Sequence, residues 1–248
     1  MEMDSGCALG RIEQLIRHAY WSSGSSGIVI GLSGGIDSAV AATMCCRAVG
    51  RERVLALVLP SSITNTEDIS DAEEICSLLG IDFRIFSIDP ILDAFRGLPG
   101  FSETPYLLGN IMARVRMALI YYHANRENRL VCGTSNRTEY LLGYCTKFGD
   151  NAADIQPILH LYKTEIFELA KTLDLPASVL EKAPSAGLWE GQRDEEEIGL
   201  TYPEIDAALK ALAASDWKSR NEVEEIVLRM VKKSEHKRLH PPSLIGLD

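Results

Sequence analysis

From Ile28 to Val40 the chain reads IVIGLSGGIDSAV: an apolar, β-branched run, then Ser33-Gly34-Gly35, then Asp37 and Ser38 at the head of a stretch with helical spacing. A strand that turns straight into a helix exposes the first N–H groups of that helix, and these attract anions. The two glycines let the backbone approach an oxygen closely, and Ser33 and Ser38 add hydroxyl donors, so a phosphate or pyrophosphate fits. Two familiar phosphate loops are excluded by inspection. A Walker A loop ends in Gly-Lys-Ser/Thr and a dinucleotide fingerprint reads Gly-x-Gly-x-x-Gly; this segment has neither. A carboxylate in a first helical turn often only offsets the macrodipole. Beside bound pyrophosphate, however, Asp37 would be repelled unless a cation bridged the two, so a functional Asp37 implies Mg²⁺.

The elements that must position this loop follow from periodicity. Apolar runs at 27–32, 53–59, 83–88 and 129–133 predict buried strands, and helical patterns occupy roughly 36–50, 66–80 and 106–127 between them. That alternation predicts an α/β fold, a doubly wound parallel sheet with helices on both faces and all strand C-termini on one ligand-binding edge. After residue 160 helices dominate, at about 162–173, 202–214 and 219–234, with no linker, so a single domain over 1–248 with a helical C-terminal part is expected. Two irregular stretches, 97–105 and 183–199, read either as lids or as ordinary surface loops.

Composition narrows the function. A chain of 248 residues, 46% hydrophobic, can bury a large core without metals or disulfides. The longest apolar runs, such as Val54–Leu59, are far too short to span a membrane. The N-terminus lacks the layout of a signal peptide, which predicts a cytoplasmic protein. The six cysteines, at 7, 45, 46, 76, 132 and 145, form no Cys-x-x-Cys pair and read as small core hydrophobes rather than zinc ligands or disulfides. A formal charge of −10 argues against nucleic-acid binding. Any anionic ligand must then meet a local basic cluster. One exists at 229–240, although as a helix end its cations could simply offset the dipole.

Ser-Gly-Gly-x-Asp-Ser after a buried strand resembles the pyrophosphate loop of the N-type ATP pyrophosphatases. Together with GNIMARVRM (109–117), GTSNRTEYLLGYCTKFGDNAADIQPI (133–158), LYKTEIFELA (161–170), KAPSAGLWEGQRDEEEIG (182–199) and SEHKR (234–238), it resembles ammonia-dependent NAD synthetase in order from about residue 10 to 240. The resemblance implies an adenine nucleotide alpha-hydrolase-like, Rossmann-like fold and a ligase that adenylylates the nicotinate carboxylate of deamido-NAD with ATP, expels pyrophosphate, and lets ammonia displace AMP.

The resemblance also implies roles for residues. Gly31, Leu32, Ser33, Gly34, Gly35, Ile36, Asp37 and Ser38, with Thr134, Lys163 and Ser185, would bind ATP, Asp37 and Lys163 acting in catalysis. Asp37 and Glu139 would hold Mg²⁺. Arg114, Lys147, Asp154, His236 and Lys237 would bind deamido-NAD. Arg116, two residues beyond Arg114, points elsewhere on a helix and reads as structural. Asp154 and the Asp194-Glu195 pair are possible proton acceptors for ammonium. Alternatives within the class are a GMP synthetase amidating domain or a tRNA-thiolating enzyme, the latter disfavoured by the charge; outside it stands a non-catalytic ATP-binding module. No room is left for an amidase domain, so free or partner-delivered ammonia is the expected nitrogen source. The family's homodimers, with shared sites, suit helix 106–127. Its Ile111, Val115, Ala118, Leu119 and Tyr122 form one stripe, and Met112, Met117, Tyr121 and Tyr106 spread apolar surface further.

Overall fold

The computed structural model describes residues 5–189 and 191–243; the rest of the expected 1–248 unit, including position 190 within the 183–199 stretch, lies outside the described residues. In chain order the elements are α1 (Ser5–Ser23), β1 (Gly27–Gly31), α2 (Ile36–Val49), β2 (Val54–Val58), α3 (Thr66–Leu79), β3 (Asp82–Ile85), α4 (Asp89–Arg96), α5 (Pro105–Glu127), β4 (Arg129–Cys132), α6 (Arg137–Leu142), α7 (Lys163–Thr172), α8 (Ala177–Leu180), α9 (Asp194–Ile198), α10 (Tyr202–Ala214) and α11 (Glu222–Lys233). The four strands form one parallel sheet in the order β3-β2-β1-β4.

Strand alternation sorts the core into two layers. Ile28, Ile30, Val54, Ala56, Val58 and Cys132 face α1, α2 and α7. Val29, Leu55, Leu57 and Val131 face α4 and α5. Covered on both sides, β1 and β2 are apolar at nearly every position, as a parallel sheet requires. A third cluster joins α10 and α11 to α6 through Leu142, Tyr202, Leu209, Leu212 and Val227. Cys45, Cys76 and Cys132 are core residues, the Cys45 and Cys132 sulfurs 3.5 Å apart as thiols.

Three expectations change. Residues 83–88 do not form a buried strand. The strand is the four-residue β3 at the sheet edge, with Phe83 38% and Ile85 39% exposed, and the chain then bends into α4, whose first turn holds Pro90. Residues 5–23, left unassigned by the sequence reading, form α1; Leu9, Ile12, Ile16 and Tyr20 recur every three or four residues and are buried in the core that includes α2. The stripe on α5 also divides. Val115 is buried with Met112, Ile111 and Leu119 are partly buried, and Ala118 and Tyr122 face solvent. One long helix therefore serves three surfaces: the sheet, the cleft described below, and an exposed stripe of Leu107, Arg114, Ala118 and Tyr122.

One carboxylate ties the outer strands to α5. Glu127 accepts from Arg84 (2.5 Å), Arg126 (2.9 Å) and Arg129 (3.2 Å), joining β3, α5 and β4. Chiefly through Arg84, these guanidinium groups pull its carboxyl down to about 2. A depressed folded-state pKa contributes stability above the unfolded value of 4.5 and loses it as pH falls toward 2. Glu127→Gln is expected to cost on the order of 1–2 kcal/mol at pH 7, allowing for solvent screening, or a few degrees of Tm. Thermal melts from pH 7 to pH 3 should show the wild-type and variant curves converging with acid; a constant gap would refute the account.

Candidate active site

The strand order places β1 between β2, which follows it, and β4, which follows much later. The chain thus leaves β1 and β4 in different directions, and the crevice at that switch point is where open α/β sheets bind ligands. Loop 31–38 crosses it. Gly34 adopts φ +78°, and a Cβ there would lie 2.3 Å from the Asp68 carbonyl oxygen, so only glycine closes this turn. Ser38 Oγ donates to the Gly35 carbonyl (2.9 Å) and accepts from the Ser33 N–H (3.3 Å), holding the loop in shape. Ala39 is the first residue of α2 to donate within the helix, and no side chain caps it, so the Ile36, Asp37 and Ser38 N–H groups remain open at the crevice.

Glu139 stands in the first turn of α6, which follows β4. Asn136, fully buried, caps α6 by accepting from the Glu139 N–H (2.9 Å), and its Nδ2 donates to Asp37 Oδ1 (2.8 Å). One amide thereby orients the Asp37 carboxylate and fixes the backbone that carries Glu139. Between them lies Lys163, the first residue of α7, 3% exposed, with Nζ 2.6 Å from Asp37 Oδ2 and 3.0 Å from Glu139 Oε1. The ammonium also lies 5.1 Å from the Tyr202 ring centre. Thr138 Oγ accepts from the Lys163 backbone N–H (2.9 Å) and donates to Asp206, which fixes the start of α7.

One ammonium cannot neutralise two carboxylates. Burial, with Asp37 and Asp194 nearby, pushes the Glu139 carboxyl up to about 7 against the pull of Lys163. Burial works against the Lys163 charge as well, but Asp37 and Glu139 outweigh it and hold the ammonium protonated well above its ordinary range.

Around this triad opens a cleft of about 450 Å³. Among its described lining residues the carboxylates Asp37, Asp68, Glu139, Asp150, Asp194 and Glu197 outnumber the cations Arg116, Lys163, Lys182 and Lys237. Thr134 and Ser185 line it too, as do all of loop 31–38 except Gly34. Much of 183–199 forms one wall, whereas 97–105 does not reach the cleft. Asp194 ties that wall down: it accepts from Tyr202 (2.8 Å), Tyr144 (3.2 Å) and the Ala186 N–H (2.9 Å). Lys182 anchors its start on Asp68 and Asp71, at 2.5 Å each.

Of the residues expected to hold the second substrate, only Lys237 lines this cleft, donating to the Gly143 and Cys145 carbonyls. Arg114 is exposed and donates to the Lys147 carbonyl, Lys147 donates to the His236 carbonyl, and Asp154 accepts from the Val131 N–H. Arg114, Lys147 and His236 are thus linked outside the cleft lining, and Asp154 is held separately on β4. The sequence reading passed over Asn136 and Tyr202. Asn136 carried a cap signal, Asn-x-x-Glu before an apolar run; Tyr202 carried none, because its contact is purely tertiary. Arg116, read as structural, in fact lines the cleft.

The family model described as NAD synthase matches residues 8–241. An NH(3)-dependent NAD(+) synthetase of Methanoregula boonei is 60% identical over the full length of both chains. Among solved structures, an NMN synthetase from Francisella tularensis superposes with a TM-score of 0.90 at 39% identity, covering 98% of this chain and 99% of that one. An NH3-dependent NAD synthetase from Campylobacter jejuni superposes at 0.85 and 37% identity, covering 98% and 100%.

A raised folded-state pKa contributes stability that is complete below the unfolded value of 4.5 and lost as pH rises through about 7. Glu139→Gln removes that loss. The ligand-free variant is expected to be more stable than wild type at pH 8 by on the order of 1–2 kcal/mol, and equal to it only at about pH 4 and below. Thermal melts across this range check the sign; a variant less stable at pH 8 would refute it.

Proposed function

The chain belongs to the NAD synthase family, and from that premise we propose that it amidates deamido-NAD with ammonia at the expense of ATP, giving NAD, AMP and pyrophosphate. The observation that carries the site assignment is the convergence of Asp37 and Glu139, from the first turns of α2 and α6, on one cation position at the mouth of loop 31–38. In this reading the open N–H groups of that loop and the Ser33 and Ser38 hydroxyls take the triphosphate, with Thr134 and Ser185 supporting the nucleotide.

Two oxygen donors that already share a cation suit Mg²⁺, which takes one or two carboxylates and completes its shell with phosphate and water. The excess of carboxylates in the cleft supports the same assignment, since a polyphosphate cannot enter without added positive charge. Bound at Asp37 and Glu139, Mg²⁺ would neutralise phosphate charge as the leaving pyrophosphate develops it. Lys163 is the protein's own counterpart: its ammonium is freed from the carboxylates and directed to the same oxygens.

The substrate's carboxylate attacks the α-phosphorus, the bond to the β-phosphate oxygen breaks and pyrophosphate leaves. Ammonia then attacks the acyl carbon, the amide forms, AMP departs and one proton is released. No protein nucleophile is required. Orientation of two anions and charge neutralisation supply the rate. Arg114, Lys147, Asp154, His236 and Lys237 are proposed to hold deamido-NAD. Because the first four lie beside the cleft rather than in it, a second copy completing their surface is the natural arrangement, and the exposed stripe of Leu107, Ala118 and Tyr122 (58% exposed) with Phe86 (41%) supports a homodimer.

The purified protein is expected to form NAD with stoichiometric AMP and pyrophosphate from deamido-NAD, ATP and ammonium, and none with glutamine alone or after chelation of divalent metal. Equal rates with glutamine, or turnover without metal, would overturn the reading. Asp37→Asn should lower kcat/KM by about 100-fold or more, the scale of losing one preorganised charge contact. The mononucleotide acid corresponding to NMN should be the poorer acceptor; a higher kcat/KM for it would reassign the substrate. Light scattering should return about twice 27.3 kDa, and Arg114→Ala should weaken deamido-NAD binding while leaving ATP binding intact. A fully active monomer would refute the shared site.

A further inference from the structure

We propose that Arg116 anchors a phosphate group of a bound nucleotide through its two terminal guanidinium nitrogens. The position comes from α5. Ile120, one turn beyond Arg116, lies beneath loop 31–38, where a Cβ on Gly31 would meet its Cδ1 at 2.9 Å. A helical turn rises about 5.4 Å, so Arg116 stands on the α5 wall close to the mouth of that loop. It lines the cleft beside Ala113 and Met117.

Its hydrogen bonds are incomplete in a way that no other cation of the cleft shares. Nε donates to the Leu59 carbonyl at 2.9 Å, at the end of β2, and the side chain is half-buried. Among the described residues no carboxylate lies within ion-pairing distance, and Nη1 and Nη2 have no protein partner. The carboxylates that influence it, Asp89 and Asp150, are engaged elsewhere: Asp89 accepts from the Ser62 N–H and Ser87 Oγ, and Asp150 from the Thr146 N–H. By contrast, Lys163 and Lys182 each face two carboxylates and Lys237 two carbonyls.

The terminal nitrogens are not among the buried polar atoms that lack a partner, so their four N–H donors open onto the cleft and are available to an acceptor that enters it. Pinning Nε to Leu59 fixes the plane of the fork and leaves the terminal pair directed at one partner, the geometry that suits a phosphate. A strut between α5 and β2 would need only the Nε bond. The choice of a nucleotide phosphate rests on the function proposed above, and two molecules in that reaction carry one, ATP and the dinucleotide acceptor.

Calorimetric titration of Arg116→Gln with Mg·ATP, with deamido-NAD and with adenosine tests this directly. The expected result is a rise in Kd of about 10- to 100-fold for at least one phosphate-bearing ligand, which identifies the source, with adenosine affinity unchanged. Arg116→Lys keeps the charge and one donor for Leu59 but not the fork, and should recover only part of the loss. If Arg116→Gln is folded by its melting curve and binds both ligands within twofold of wild type, the proposal fails. If Arg116→Gln does not fold, Arg116→Lys decides: normal Kd values for both ligands overturn the proposal. Failure of the wild-type protein to make NAD would instead overturn the function; normal NAD synthesis with unaffected Arg116 variants removes this inference alone.

Discussion

The contact on which the site depends is a buried ammonium shared by two carboxylates. Lys163 lies 2.6 Å from Asp37 and 3.0 Å from Glu139, so the starts of α2, α6 and α7 are held at one point. Burying that many charges is tolerable only when each is paired and hydrogen-bonded. Asn136 adds a bond to the Asp37 carboxylate and accepts from the Glu139 backbone N–H, and Thr138 with Asp206 anchors the backbone behind the lysine. The balance is nevertheless incomplete, since Glu139 is pushed up to about 7. A site left short of positive charge is primed to accept a further cation, and this imbalance links the fold to the chemistry proposed for it.

The sheet explains why these groups meet. In the order β3-β2-β1-β4 the chain winds outward one way from β1 and later returns to its other side, leaving the crevice between the β1 and β4 exits uncovered. Loop 31–38 fills one rim, and Asn136 and Glu139 the other. The third wall is α5, which packs Met112 and Val115 on the sheet, turns Ala113 and Met117 to the cleft and leaves Arg114 and Tyr122 outward. A single helix can do this because residues about 100° apart face different neighbours.

The 183–199 stretch closes the remaining side. Asp194 with Tyr144 and Tyr202 fastens it, Lys182 with Asp68 and Asp71 holds the residue just before it, and Leu188 and Ile198 pack against two of the apolar clusters. Tyr202 touches both systems, donating to Asp194 and facing Lys163 with its ring, so the wall and the charged triad share one side chain.

The sequence by itself determined the local elements and the loop. The β-branched runs at 27–32 and 53–59, the glycine pair, and Asp37 at the head of α2 are legible because strand period, turn chemistry and helix capping act within a few residues. The four-residue recurrence that makes α1 was equally local. The order of residue types from the loop to SEHKR was enough to identify the family. What only the tertiary structure decided is which distant side chains share space. That β3 is an exposed edge follows from its having one neighbour. That Arg116 reaches the cleft while Arg114 turns to the Lys147 carbonyl follows from the rotation of α5 on the sheet. That Lys163 bridges Asp37 and Glu139 follows from the parallel strand order, which no local pattern encodes. Helical spacing shows that the two arginines face apart, but not which of them faces the cleft, because that depends on the packing of the whole sheet against the helix.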